Sequence, residues 1–368
     1  MKHVVHNTIW RMNMAQLRGI LVILLVSAVT ASALKAQEFE FQFAYRPMAF
    51  EVLKKNVDKV DLVAPEPFII DNRGMIHGEL EPRLLDLARE HNLKVMPQVK
   101  NLDKSAGLFS QLWVNEMLND PQAVDRAIAS MLELCRKYGL YGIQIDLEAV
   151  HIDDRDALTD FYRKTAEALH QEGYKISIAV VHRFEKTGGA NSYTRWMMED
   201  WRGGYDLKKL GEISDFVKVM SYAQHTRRTT PGPSQGLPWL TDVMDYMLEH
   251  IPAEKLSMGL NMRSFHYHTV ADPDRYHINA RSWSRSLSLN EVESLMNQYD
   301  GMPLTWDDRQ KVLYGYIERG GTLEWFFVDN DPRSLQAKLD LARDRGINML
   351  NMWVFGDEDP AFWKMISN

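Results

Sequence analysis

The sequence predicts an α/β protein: a (β/α)8 TIM-type barrel with a small α+β insertion after its seventh strand. Three observations lead there. From Phe39 onward, short runs rich in Val, Ile and Phe alternate with stretches of helical period, which is the pattern of repeated βα units around a parallel sheet. The strand candidates number eight, enough to close a barrel. The spacing breaks once, between about Arg263 and Val328, where the chain is too long for a single βα connection.

Residues 1–36 read as an export signal. Lys2, Arg11 and Arg18 precede an apolar run from Gly19 to Val29, and small residues follow at Ala31, Ser32, Ala33 and Ala36, so cleavage is expected after Ala33 or Ala36. The run is short for a membrane span of about 20 residues, which favours a cleaved leader over an anchor. The long stretch before Arg18 suggests translation from Met12 or Met14. The expected destination is secreted or periplasmic, with no stable membrane insertion after cleavage.

The strands are expected at Phe41 to Tyr45, Val60 to Pro65, Lys94 to Val99, Gly142 to Glu148, Lys175 to Val181, Phe216 to Tyr222, Leu256 to Met262 and Met349 to Phe355. Amphipathic helices are expected at Glu81 to His91, Asp125 to Tyr138, Ala157 to Glu172, Leu240 to His250 and Ser334 to Arg345. Within the insertion, Ser288-Leu289-Asn290-Glu291 reads as a helix start, Gly320-Gly321 as a turn and Thr322 to Val328 as a strand. The division is therefore 1–36 signal, 37–262 and 329–368 barrel, and 263–328 inserted subdomain. The barrel portion, roughly 270 residues, is near the size usual for this architecture. A doubly wound open sheet is the alternative, weakened because no Gly-rich phosphate loop follows any strand.

Composition narrows the chemistry. At 45% hydrophobic residues the chain can bury a large core. Removing residues 1–36 takes away four basic residues and no acidic one, moving the charge from −7 to −11, a poor match to nucleic acid. The single Cys135 excludes an internal disulfide and sits on an amphipathic helix as a core thiol. The histidines have no metal-ligand spacing, so neither metal nor cofactor is expected. Carboxylates, aromatics and hydroxyls remain.

The most informative segment is Tyr141-Gly142-Ile143-Gln144-Ile145-Asp146-Leu147-Glu148, where polar and apolar residues alternate strictly. On a strand, Gln144, Asp146 and Glu148 share one face, and the aliphatics suit the helix-facing side, so the acids point into the barrel. Burying such a pair is costly, which argues for function. Two neighbouring acids cannot both ionise easily, so one keeps a proton, as a general acid must. Glu148, nearest the C-terminal mouth, is the donor candidate. A buried polar ladder that only fixes register is the bland reading of the same alternation.

This strand resembles the signature of family 18 glycoside hydrolases, the chitinase family, which reads Asp-x-x-Asp-x-Asp-x-Glu. Its positions are Tyr141, Gln144, Asp146 and Glu148, so the last two acids are kept. Met220-Ser221-Tyr222-Ala223 resembles the family's Met-x-Tyr-Asp, with Ala223 in place of Asp. Trp353 stands where the family's eighth strand has the Trp that floors the sugar site. Glu324 to Asp329, then Ser334 to Leu339, resembles spore-cortex-type members, and the likeness runs over about residues 39 to 363.

The resemblance implies a retaining glycosidase acting beside N-acetylglucosamine in chitin, peptidoglycan or an N-glycan core, with the substrate's acetamide as nucleophile. It implies Glu148 as general acid/base, Asp146 as orienter of the acetamide nitrogen, Tyr222 as partner of the acetamide oxygen, and Gln144 as a hydrogen-bonding amide that cannot share a proton. Trp353, Tyr45, Met220, Asn101 and Arg263 lie at or near strand ends and are the candidate substrate contacts. The Asp357-Glu358-Asp359 cluster reads as a solvated helix start. The second function reading is a catalytically weak, chitinase-like carbohydrate-binding protein: Gln144 and Ala223 favour it, Asp146 and Glu148 oppose it.

Overall fold

The computed structural model describes residues 39–186, 188–226, 229–270, 283–299, 302–319 and 322–366. The expected leader and the Gly320-Gly321 turn lie outside these residues. Among the described residues, no helix is long and apolar enough to cross a membrane.

Eight parallel strands close a barrel in chain order: Glu40–Tyr45, Leu62–Pro65, a third in two pieces (Lys94–Val95 and Gln98–Lys100), Gly142–Asp146, Lys175–Val181, Phe216–Met220, Leu256–Asn261 and Met349–Trp353. The first strand pairs with both the second and the eighth, which closes the ring. The third strand breaks at Met96-Pro97, where proline has no N–H to give. Backbone bonds bridge the break: Met96 N to Val63 O at 2.9 Å, and Gln144 N to Pro97 O at 3.0 Å. The expected strands all appear, but those from Gly142, Phe216 and Met349 stop two residues early. At two of these mouth ends the chain turns away through left-handed residues, Ala149 (φ 55°) and Ala223 (φ 65°).

The expected helices are present as Pro82–His91, Pro121–Tyr138, Arg155–Gln171, Leu237–Leu248 and Pro332–Asp344. The second starts four residues earlier than expected because Asp120 caps it, accepting from Gln122 N, with Pro121 at its first position. Cys135 is fully buried on this helix, and burial pushes its thiol up to about 12, as suits an inert core group. Periodicity gave no warning of the helices Gln111–Leu118 and Leu207–Ile213, or of a hairpin, Phe68–Ile70 with Ile76–His77, that lies along the third strand.

After the seventh strand, the described residues form a second, antiparallel sheet of five strands: Ser264–Val270, Trp283–Leu287, Thr305–Asp307, Val312–Arg319 and Thr322–Val328. The helix Leu289–Gln298 begins at the expected Ser288, in a capping box completed by Glu291. Leu287, Val292, Met302, Phe326 and Val328 form its core.

The barrel interior is layered. Leu62, Ala64, Met96, Phe216 and Met349 pack together as an apolar floor. Above them lies a polar layer set by strand register, with Gln98 opposite Gln144, Gln144 opposite Ser177, and Lys218 opposite Ser257. Gln144 Nε2 donates to Ser177 Oγ at 3.0 Å and Ser257 Oγ to Gln42 Oε1 at 3.0 Å, so these buried groups satisfy one another.

Candidate active site

Asp146 ends the fourth strand, pointing inward, while Ile143, Ile145 and Leu147 are buried on the helix side. Glu148 follows two residues beyond the strand, in a loop held from two directions. Asn101 accepts from Glu148 N at 2.9 Å and donates to Glu148 O at 2.9 Å, and the buried Tyr205 hydroxyl donates to Leu147 O at 2.8 Å. The Glu148 carboxyl itself has no hydrogen bond or ion pair among the described residues. Burial, and then the charge of Asp146, push it up to about 8.

Asp146 is only 6% exposed. Gln98, oriented to satisfy both its ends, donates to Asp146 Oδ2 at 2.8 Å and accepts from Lys218 Nζ at 3.2 Å. The other oxygen, Oδ1, is buried without a partner among the described residues. Burial raises the carboxyl above the ordinary range, against the pull of the Lys218 and Lys100 ammoniums. Lys100 Nζ in turn donates to Glu66 Oε2 at 3.0 Å, and Arg46 reaches the same oxygen at 3.2 Å.

Tyr222 and Trp353 stand across from the acids with their rings stacked, centroids 5.8 Å apart. Tyr222 packs on Gly259, where an added Cβ would lie 2.4 Å from Val219 O, so only glycine admits this approach. The Tyr222 hydroxyl has no protein partner among the described residues, and burial together with the two acids keeps it protonated. The Arg46 guanidinium lies 5.6 Å from the Trp353 ring centre. Asp146, Glu148, Tyr222 and Trp353 therefore share the mouth of the barrel.

Other expected contacts are placed differently. Tyr45 faces the helices: its ring is 1% exposed and its hydroxyl donates to Glu81, so no face is left for a sugar. Phe43 has the same parity and packs in the same outer layer, against Phe355 and Trp363. Asn101 gives its side chain to the Glu148 backbone and to Ser110 O, which holds the loop that carries Glu148. Gln144 sits one layer below the acids, its Oε1 3.5 Å from Lys218 Nζ. The Met220 carbonyl accepts from His182 Nδ1 at 3.0 Å; because Arg202 can only donate to Nε2, that imidazole is neutral. Arg263 pairs with Asp357 at 3.2 Å. Asp359 caps the last helix, but Glu358 is buried and accepts from Gly356 N and Trp363 Nε1, so the cluster is only partly a solvated start. Sequence reasoning missed Gln98, Lys100, Lys218 and Glu66.

A proton-holding carboxyl above a second carboxyl with an open oxygen, beside a stacked aromatic pair, is equipped for acid/base chemistry on a ligand that brings a hydrogen-bond donor. Comparison with known proteins agrees in kind. The family model described as glycosyl hydrolases family 18 matches residues 48–359. The uncharacterized glycosylase YvbX of Bacillus subtilis is 24% identical over 318 residues, covering 86% of this chain and 87% of that protein. The cortical fragment-lytic enzyme of Bacillus subtilis is 25% identical over 287 residues, covering 77% of this chain. The chain spans only 62% of that relative's length. Among solved structures, the Bacillus cereus spore cortex-lytic enzyme SleL superposes with a TM-score of 0.77 at 20% identity, covering 89% of this chain and 73% of that one. A chitinase from Chromobacterium violaceum gives 0.76 at 23% identity, covering 89% and 98%.

Proposed function

This chain belongs to family 18 of the glycosyl hydrolases, and on that premise we propose that it is a retaining glycosidase cleaving β-1,4 bonds next to N-acetylglucosamine by substrate-assisted catalysis, with Glu148 as general acid/base. The observation that carries this reading is the open Oδ1 of Asp146. A buried carboxylate oxygen without a donor costs about 1–3 kcal/mol, and an acetamide N–H arriving from the substrate removes that cost.

In this mechanism the sugar lies over Trp353, its acetamide nitrogen donating to Asp146 and its acetamide oxygen accepting from Tyr222. The acetamide oxygen bonds to the anomeric carbon as the bond to the leaving oxygen breaks, and Glu148 gives that oxygen its proton. The negative charge of Asp146 offsets the oxazolinium ion so formed. Water then opens the ion, its proton returns to Glu148, and the product keeps the β configuration. The relatives named for lysis of cortical fragments and the neighbours named as chitinases support a polymer of this kind as substrate. The export signal read in residues 1–36 supports action outside the cytoplasm, and 263–328 is taken as a subdomain inserted after the barrel's seventh strand.

The test is hydrolysis of chitotetraose and its fully de-N-acetylated counterpart, with proton NMR of the first reducing ends. Cleavage of the acetylated sugar alone, releasing the β anomer, is expected. Equal cleavage of both, or an α product, overturns the mechanism.

A further inference from the structure

Lys218 is an amine sealed inside the barrel, where burial works against its ammonium form and Asp146, then Glu66 and Glu148, work for it. It lies on the sixth strand, 3% exposed, between Val217 and Val219, which turn outward and are fully buried. Burial of such a charge costs several kcal/mol unless it is paired. Yet Lys218 makes no direct ion pair among the described residues. Its Nζ contacts two amide oxygens, of Gln98 at 3.2 Å and Gln144 at 3.5 Å. Gln98 passes the polarity on, its N–H2 meeting Asp146 Oδ2 at 2.8 Å. The other nearby cation, Lys100, is held by Glu66, which Arg46 also engages. Lys218 is thus the charge in this cluster left to balance Asp146.

Gln144 gives that cation a purpose. It occupies the position where the resembled signature has a second carboxyl, and an amide cannot exchange a proton with Asp146. We propose that Lys218 is a positioning residue of the site, a fixed cation relayed through Gln98 that holds Asp146 ionised in place of the proton-sharing carboxyl missing at Gln144. The device rests on the glycosidase reading above and explains how the strand works with an amide at 144. The groups facing Asp146 and Glu148 are Lys218, Lys100, Glu66, Tyr205 and Tyr222. Among them, the two ammoniums are the ones that favour ionisation of both acids.

The sign follows. Without Lys218 both carboxyls hold their protons more tightly, so the acid limb, where Asp146 must ionise, and the alkaline limb, where Glu148 loses its proton, both move to higher pH. The experiment is the pH profile of kcat/KM on an aryl chitobioside for wild type, Lys218→Met and Lys218→Arg, with Tm for each. Lys218→Met should move both limbs up by about one unit, the order of shift that the loss of a nearby opposite charge produces. Its Tm should fall below that of wild type, because removing Lys218 alone leaves Asp146 and the Gln98 and Gln144 amide oxygens uncompensated. Lys218→Arg should return the limbs toward wild type. Unmoved limbs in a folded Lys218→Met protein overturn the proposal. So does a Lys218→Arg variant that folds and shows the Met profile. If Lys218→Met fails to fold, the double variant Gln144→Asp/Lys218→Met, which restores the carboxyl, decides: activity supports the exchange, and a folded but inactive protein overturns it. Failure of the parent reading is seen separately, as undiminished turnover by Glu148→Gln.

Discussion

Asn101 grips the backbone of Glu148 on both sides, accepting from its N–H and donating to its C=O, each at 2.9 Å. The acid therefore leaves its strand yet keeps a fixed position. Asn101→Ala should lower kcat on the order of tenfold to a hundredfold, with KM changed much less, because a small misplacement of the acid is felt in the reaction step. Steady-state kinetics on a chromogenic chitobioside check this. A KM effect alone would make Asn101 a sugar contact after all.

The pH profile of kcat/KM should be a bell. Glu148 must carry a proton to act, and its folded pKa is about 8, so activity falls as pH rises through about 8. Asp146 must be ionised, and its pKa is raised by burial, so activity grows only above the ordinary carboxylate range. Both limbs belong to the coupled pair. An alkaline limb below pH 6 contradicts this assignment.

The same shift makes a stability prediction. The folded pKa of Glu148 lies above its ordinary value of 4.5, so the unfolded chain loses this proton first as pH rises. Stability from this group is present below about pH 4.5 and is lost up to about pH 8. Glu148→Gln cannot lose it. Its Tm advantage over wild type should therefore widen from pH 4.5 to 8 and then level off, as calorimetry or dye-monitored melting would show.

Tyr45 and Trp353 should separate cleanly. Tyr45→Phe removes a hydroxyl bonded to Glu81 and should cost about 1 kcal/mol of stability with KM unchanged. Trp353→Ala should raise KM by roughly tenfold or more, since a stacking face is lost. A KM rise in Tyr45→Phe would return that ring to the substrate.

These contrasts mark what the sequence made legible. The acids on the fourth strand announced themselves because Gln144 and Asp146 interrupt an aliphatic strand at every second position. The same signal is present in Gln98-Val99-Lys100 and Val217-Lys218-Val219, and reading it there would have found the counter-charges. Parity also argued against Tyr45, which shares a face with Phe41 and Phe43, while Gln42 and Ala44 share the opposite one. Glu66, the role of Asn101 and the hairpin along the third strand depend on long-range packing and leave no local pattern. Gly142–Asp146 ends early where the Tyr205 and Asn101 side chains, remote in sequence, take the Leu147 and Glu148 backbone groups that a ladder would use.

The most direct test of the account is Glu148→Gln, measured for turnover of an aryl chitobioside and for binding of chitotetraose by calorimetry. Turnover should fall by about 10²–10⁴-fold or more while Kd stays within a few-fold of wild type. Turnover equal to wild type, or a wild type as inactive as the variant with the same Kd, would contradict a catalytic Glu148.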